Sequence, residues 1–271
     1  MSKENEMSFL DHLEELRWHI IRAVASIFVF AIAAFFAKEL VWHELILGPS
    51  RPEFWTYRQL CALGELVDSS VLCINELPFT IQSREMSGQF TMHITSAFVI
   101  GLICAFPYTF WEIWRFVSPA LHSKERSLTR GATFFVSLLF LSGICFGYFI
   151  VSPLSINFLS NYQVDPSIKN EFDISSYLST LSMLVLACGI MFQLPIVVYF
   201  LSKAGIVTPQ LMRTYRKHAI VVILVLSAII TPPEVISQIL ISIPLLFLYE
   251  VSIFISKVIL REKLKAIKKL N

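Results

Sequence analysis

Long apolar runs, each closed by charged or aromatic residues, set the pattern of this chain. Residues 1–19 are polar, but Phe9, Leu10, Leu13, Leu16 and Ile20 fall on one helical stripe, which predicts an amphipathic surface helix leading into the first apolar run. That run covers 20–37, and three more follow at 91–116, 128–151 and 176–202. Each is near the length of about 20 residues that a helix needs to cross hydrocarbon. The last pair differs. Ala219–Ile230 is 12 residues, about 18 Å as helix, and the second run, 235–256, is interrupted by Pro244 and Glu250. Thr231-Pro232-Pro233-Glu234 turns the chain between them. Two short spans at 218–230 and 235–256 are the favoured reading, a re-entrant hairpin the other, and both return the C-terminus to the side it left. The segment 38–89 is polar and aromatic and reads as a long outer loop, and 257–271 as a basic tail.

Composition agrees with the pattern. The chain is 55% hydrophobic and 15% charged, against about 45–50% and 25% in soluble domains. Six helices with their loops leave no room for a second globular domain, so 1–271 is expected to be one polytopic all-α membrane domain. Alanines at 31 and 33 resemble a leader cleavage site. However, Asp11, Glu14 and Glu15 precede them and Phe35 and Phe36 follow, so an uncleaved segment is expected. Five cysteines form no CxxC pair and six histidines no HExxH. No nucleophile–base or metal-ligand spacing stands out, so the chain is expected not to be an enzyme, to need no cofactor or metal and to bind no nucleic acid.

Charge placement orients the chain. Of 22 Lys and Arg, three lie in 1–22, four in 115–130, four in 203–217 and six in 257–271, while only Lys38, Arg51, Arg58, Arg84 and Lys169 lie in the opposite segments. The basic side is cytoplasmic by the positive-inside rule, which puts both termini inside. The basic tail is also suited to contact anionic membrane lipid.

Two of the acids on this basic face stand out, Glu15 before the first span and Glu125 in the loop opened by Pro119. Each could pair with a neighbouring base, although residues one or two apart on a helix do not face each other. Alternatively, both accept a cationic ligand from the cytoplasm, for which arginine has the better donor geometry. Gln193, in the fourth span before Pro195, could bond across helices or meet a partner helix. Glu250, seven residues before Lys257, could reach the inner interface. Cys61 and Cys73 share the outer segment, so a disulfide and two free thiols both stay open.

His12-Leu13-Glu14-Glu15-Leu16-Arg17 before the first span, and Phe116-Val117-Ser118-Pro119-Ala120-Leu121 followed by Glu125-Arg126, resemble the signature segments of the TatC family. TatC is the multispanning subunit of the twin-arginine (Sec-independent) protein translocase. Asp173-Ile174-Ser175-Ser176-Tyr177-Leu178, Phe192-Gln193-Leu194-Pro195 and Thr231-Pro232-Pro233-Glu234 fit the same family in order. The resemblance implies a cup-shaped bundle of six transmembrane helices, the last two short, in the bacterial cytoplasmic (inner) membrane. It implies recognition of twin-arginine signal peptides on folded cargo, nucleation of the export complex, and transport driven by the protonmotive force. Glu15 and Glu125 would bind the arginine pair, with Arg17, Phe116, Pro119 and Arg126 shaping the site. Single-span Tat subunits of the TatA/TatB type would dock along the last spans, near Gln193 and Glu234, around a homo-oligomer within a hetero-oligomeric complex. The chain departs from the family pattern in three places: Gln193 stands where many members carry Glu, Glu234 where Asp is usual, and the outer segment 38–89 is longer than the family leads one to expect; His19 also stands where a base is common. The rival class is a secondary transporter of a small solute. It predicts ionisable groups near mid-membrane and matching broken halves, and no internal repeat is visible.

Overall fold

The structure, a computed structural model, describes residues 9–66, 73–74, 76–117, 129–231 and 235–268. Its elements in order are α1 (Phe9–Phe36), α2 (Trp55–Leu66), β1 (Phe79–Gln82), α3 (Gly88–Val117), α4 (Thr129–Phe146), α5 (Ser152–Asn161), β2 (Asn170–Asp173), α6 (Ile174–Met191), α7 (Leu194–Lys203), α8 (Pro209–Thr214), α9 (Arg216–Ile230) and α10 (Val235–Lys268). A π-helical turn, Gly147–Val151, joins α4 to α5. Among the described residues, five helical stretches are long and apolar enough to cross a membrane: Glu14–Phe36, Gly88–Phe116, Thr133–Asn161, Ile174–Lys203 and Ser237–Leu264. At 15 residues, α9 spans only about 22 Å.

Two expectations are corrected. The last helix is not short: α10 runs 34 residues, through Pro244 and beyond the apolar run, because the tail is rich in the helix formers Arg, Glu, Lys, Leu and Ala. Nor is 38–89 a plain loop. It holds a π-helical turn (Leu40–Ile46), α2 and β1, fixed by aromatic packing that hydropathy periodicity does not register.

The chain divides into two compact units, Met1–Glu44 with Glu85–Leu138 and Leu45–Arg84 with Leu139–Asn271. In the first, α1 and α3 pack antiparallel, with His19 beside Glu112, Ala31 beside Gly101, and Phe35 stacked on His93 at 4.1 Å. The seam is built from small side chains, Ala23 and Ala34 on α1 and Ala97, Gly101 and Ala105 on α3, so the backbones approach closely. A Cβ on Gly101 would lie 2.7 Å from the Ala31 nitrogen. Gly101→Ala is therefore expected to destabilise the protein by about 1–3 kcal/mol. Gly131→Ala, whose Cβ would meet nothing within 4 Å, should leave the unfolding midpoint in detergent unchanged or slightly raised.

In the second unit the outer segment caps α5 and α6. The buried Tyr57 hydroxyl donates to the carbonyls of Pro49 (3.0 Å) and Pro153 (2.8 Å), Tyr177 to Ile46 O (2.7 Å) and Tyr148 to Leu45 O (2.8 Å). Burial pushes the Tyr57 phenol well above its usual pKa. Strands β1 and β2 pair in parallel, Phe79 opposite Asn170 and Gln82 opposite Asp173. Asp173 caps α6 by accepting from the Ser175 amide and hydroxyl. These bonds, with one from the Arg84 amide, hold its carboxyl below the usual range. Cys61 and Cys73 are bridged, with Cα atoms 4.1 Å apart.

The core of this unit gathers Leu184, Cys188, Val198, Ile223, Ile241 and Leu245. Serines stitch its helices: Ser155 to Ser237 (2.7 Å), Ser242 to Ser227 (3.1 Å) and Ser202 to Ser256 (2.8 Å). Gly205, at φ 81°, ends α7 in a Schellman turn, with Ile206 N bonded to Leu201 O and Gly205 N to Ser202 O.

Candidate functional site

Glu15, His19 and Arg22 lie on one face of α1, and Tyr108, Glu112 and Phe116 on the facing side of α3. Glu112 is 1% exposed, too deep for a lone carboxylate. Three groups surround it. His19 Nδ1 lies 2.5 Å from one oxygen, Tyr108 donates to the other at 2.9 Å, and an Arg22 nitrogen stands 3.7 Å away. With Nδ1 committed to Glu112, the opposite imidazole nitrogen faces Glu15 at 3.9 Å. His19 thus bridges two acids.

Charge counting then separates the two acids. Arg22 offsets one negative charge, and the partnered, buried Glu112 takes it. Glu15, 41% exposed at its side chain, is the acid open to a further cation. Phe116 closes the seam with its ring 6.1 Å from His19, tilted by 56°. Arg17 instead sits over the exposed ring of Trp18 at 5.7 Å. The structure therefore brings Glu15 and Phe116 to one cluster and leaves Arg17 beside it. Pro119, Glu125, Arg126 and Glu234 lie outside the described residues.

Glu112 was missed by the sequence reading. Its signal was present: an acid inside an apolar span, four residues after Tyr108 and four before Phe116. The flanking aromatics Phe110, Trp111 and Trp114 hid it in a hydropathy run. Its place near the end of the span also distinguishes it from the mid-membrane groups of a solute transporter.

Gln193 is half-buried and sits not within a continuous helix but at the break between α6 and α7. Pro195 cannot donate to the helix ahead of it, and the Gln193 carbonyl accepts from Ile196 and Val197 to start α7. Glu250 forms a 2.5 Å ion pair with Arg216. Among the described residues, no group of three or more His, Cys, Asp or Glu is placed to hold a metal.

A family model described as Sec-independent protein translocase protein (TatC) matches residues 11–244. The chain is similar to the Sec-independent protein translocase protein TatC of Blattabacterium sp. subsp. Periplaneta americana, 36% identical over 264 residues that cover 97% of this chain and 99% of the relative. It is likewise similar to TatCy of Bacillus subtilis, 33% identical over 265 residues, 97% of this chain and 94% of the relative. A crystal structure of the twin arginine translocase receptor TatC superimposes with a TM-score of 0.68 at 32% identity, covering 92% of this chain and 99% of that one.

Proposed function

This chain belongs to the TatC family of Sec-independent protein translocase subunits, and from that premise we propose that its inner-face acids receive the arginine pair of a twin-arginine signal peptide. As a family member it is a multi-pass membrane component of the twin-arginine transport pathway. In the proposed reading Glu15 and Glu125 bind the two guanidinium groups, while Arg17, Phe116, Pro119 and Arg126 shape the site. The observation that carries it is the half-exposed Glu15 carboxylate, 3.9 Å from the His19 imidazole whose other nitrogen is taken by the buried Glu112.

The rest of the reading follows the family. The chain crosses the bacterial inner membrane six times, with α9 as the short fifth crossing and both termini cytoplasmic. It is not an enzyme; it nucleates an export complex for folded cargo, driven by the protonmotive force. Single-span subunits of the TatA/TatB type dock along α9 and α10 and near Gln193, with Glu234 at the turn, around a homo-oligomer of this chain. The α6–α7 break supports a docking role for Gln193, because Pro195 has no amide to give the Met191 carbonyl one turn earlier, beside Gln193.

Magnitudes limit what the arginine pair does. Two charge-assisted pairs at about 1.5–3 kcal/mol each give roughly 3–6 kcal/mol, a millimolar to tens-of-micromolar affinity. The pair selects cargo, and the apolar part of the signal peptide must add burial, at about 0.8 kcal/mol per CH₂. Glu125→Ala is expected to abolish crosslinking of a twin-arginine signal peptide, and Glu125→Asp to retain part of it. Wild-type crosslinking to the Glu125→Ala protein would overturn the assignment.

A further inference from the structure

Between the end of α8, the start of α9 and the middle of α10 a cleft of about 440 Å³ is lined by Arg213, Arg216, Glu250, Ile253, Phe254 and Lys257. From it we infer a binding site for the phosphate-bearing headgroup of an anionic phospholipid. Three cations face one acid, and that acid is taken up by Arg216 at 2.5 Å. Arg213 and Lys257 form no ion pair among the described residues, so the cleft keeps an excess of two positive charges. The N-terminus of the 15-residue α9, which has no side-chain cap, opens beside them and adds its positive dipole end.

The walls distinguish a lipid from a free anion. Glu250, Phe254 and Lys257 share one face of α10, placed four and three residues apart. Phe254 is 66% exposed at the cleft, and the same helix continues its exposed apolar surface through Phe247 and Ile243. A headgroup held by Arg213 and Lys257 would therefore lay its acyl chain along Phe254 and the outer face of α10. The cleft is also preorganised. Tyr249 donates to Met212 O at 2.8 Å, tying α10 to α8, and Lys263 donates to Lys203 O at 2.6 Å, tying α10 to the end of α7. The helices that carry the cations are thus held together. The proposal rests on the inside orientation proposed above, which puts the cleft at the leaflet richer in anionic lipid.

The test is native mass spectrometry and thermal unfolding of the full chain in detergent, titrated separately with phosphatidylglycerol, phosphatidylcholine and inorganic phosphate. Phosphatidylglycerol is expected to bind and raise the unfolding midpoint, whereas phosphatidylcholine does neither. The double variant Arg213→Gln with Lys257→Gln should bind phosphatidylglycerol roughly thirtyfold more weakly. Glu250→Gln releases Arg216 and should bind it several-fold more tightly, a gain that a merely misfolded protein would not give. Equal binding of both lipids, or unchanged affinity in both variants, would overturn the site. An equal shift with inorganic phosphate would overturn the lipid in favour of a free anion, and displacement of phosphatidylglycerol by an acidic peptide alone would overturn it in favour of a protein partner. No outcome depends on signal-peptide recognition, so the two readings fail separately.

Discussion

Glu112→Ala is expected to lower the stability of the protein by about 1–3 kcal/mol, the cost of leaving a buried polar group, the His19 imidazole, without its partner. The carboxylate accepts from His19 and Tyr108 and stands near Arg22, so its loss leaves the buried His19 imidazole without its partner and takes a contact from the more exposed Tyr108 and Arg22. Glu112→Gln keeps an acceptor for His19 and should cost less. Replacing the pair together, Glu112→Leu with His19→Leu, should recover much of the loss, because the groups then left unpaired, the Tyr108 hydroxyl and Arg22, are both partly exposed. Unfolding midpoints in mixed micelles of rising denaturing-detergent content would rank the three. A midpoint for Glu112→Ala equal to wild type would show that the cluster adds nothing. Because His19 links Glu112 to Glu15, Glu112→Gln should also weaken signal-peptide crosslinking while the protein remains folded.

Opening the Cys61–Cys73 bridge is the second large effect. The cysteines are separated by 12 residues, and in the chain-entropy account a loop of that size is worth about 3 kcal/mol. The loss should be local. In Cys61→Ser with Cys73→Ser, hydrogen exchange should accelerate across α2 and β1 and change little across α1 and α3, which belong to the other unit. The Tyr57 phenol reports the same event: burial raises its pKa, so opening the cap should bring its titration back toward the ordinary tyrosine range. Unchanged exchange across 45–84 would mean that the aromatic and tyrosine–carbonyl contacts suffice without the bridge.

Hydropathy made the helices visible because the span is a length requirement, and apolar runs at 20–37, 91–116 and 176–202 meet it directly. The α6–α7 break was foreshadowed by Pro195, whose missing amide acts locally. The outer cap was not legible, since its contacts run between Tyr57 and Pro153, or Tyr177 and Ile46, 96 and 131 residues apart. The strands are four residues each, too short for alternation to register. At the candidate site the split is similar. Glu15 stood out as an acid on a basic face. Glu112 did not, because what makes it matter is a histidine 93 positions earlier.

The serines of α10 carry one more consequence. Ser237, Ser242 and Ser256 join α10 to α5, α9 and α7 at three depths along its axis. Sliding α10 by one turn, about 5.4 Å, would break all three bonds at once, while the leucines and isoleucines between them could repack. Apolar contact alone fixes which faces meet; the hydroxyls fix how far along. α10 therefore sets a common vertical register for three neighbours, and rearrangement within this unit is expected as tilting about those points, not as sliding past them.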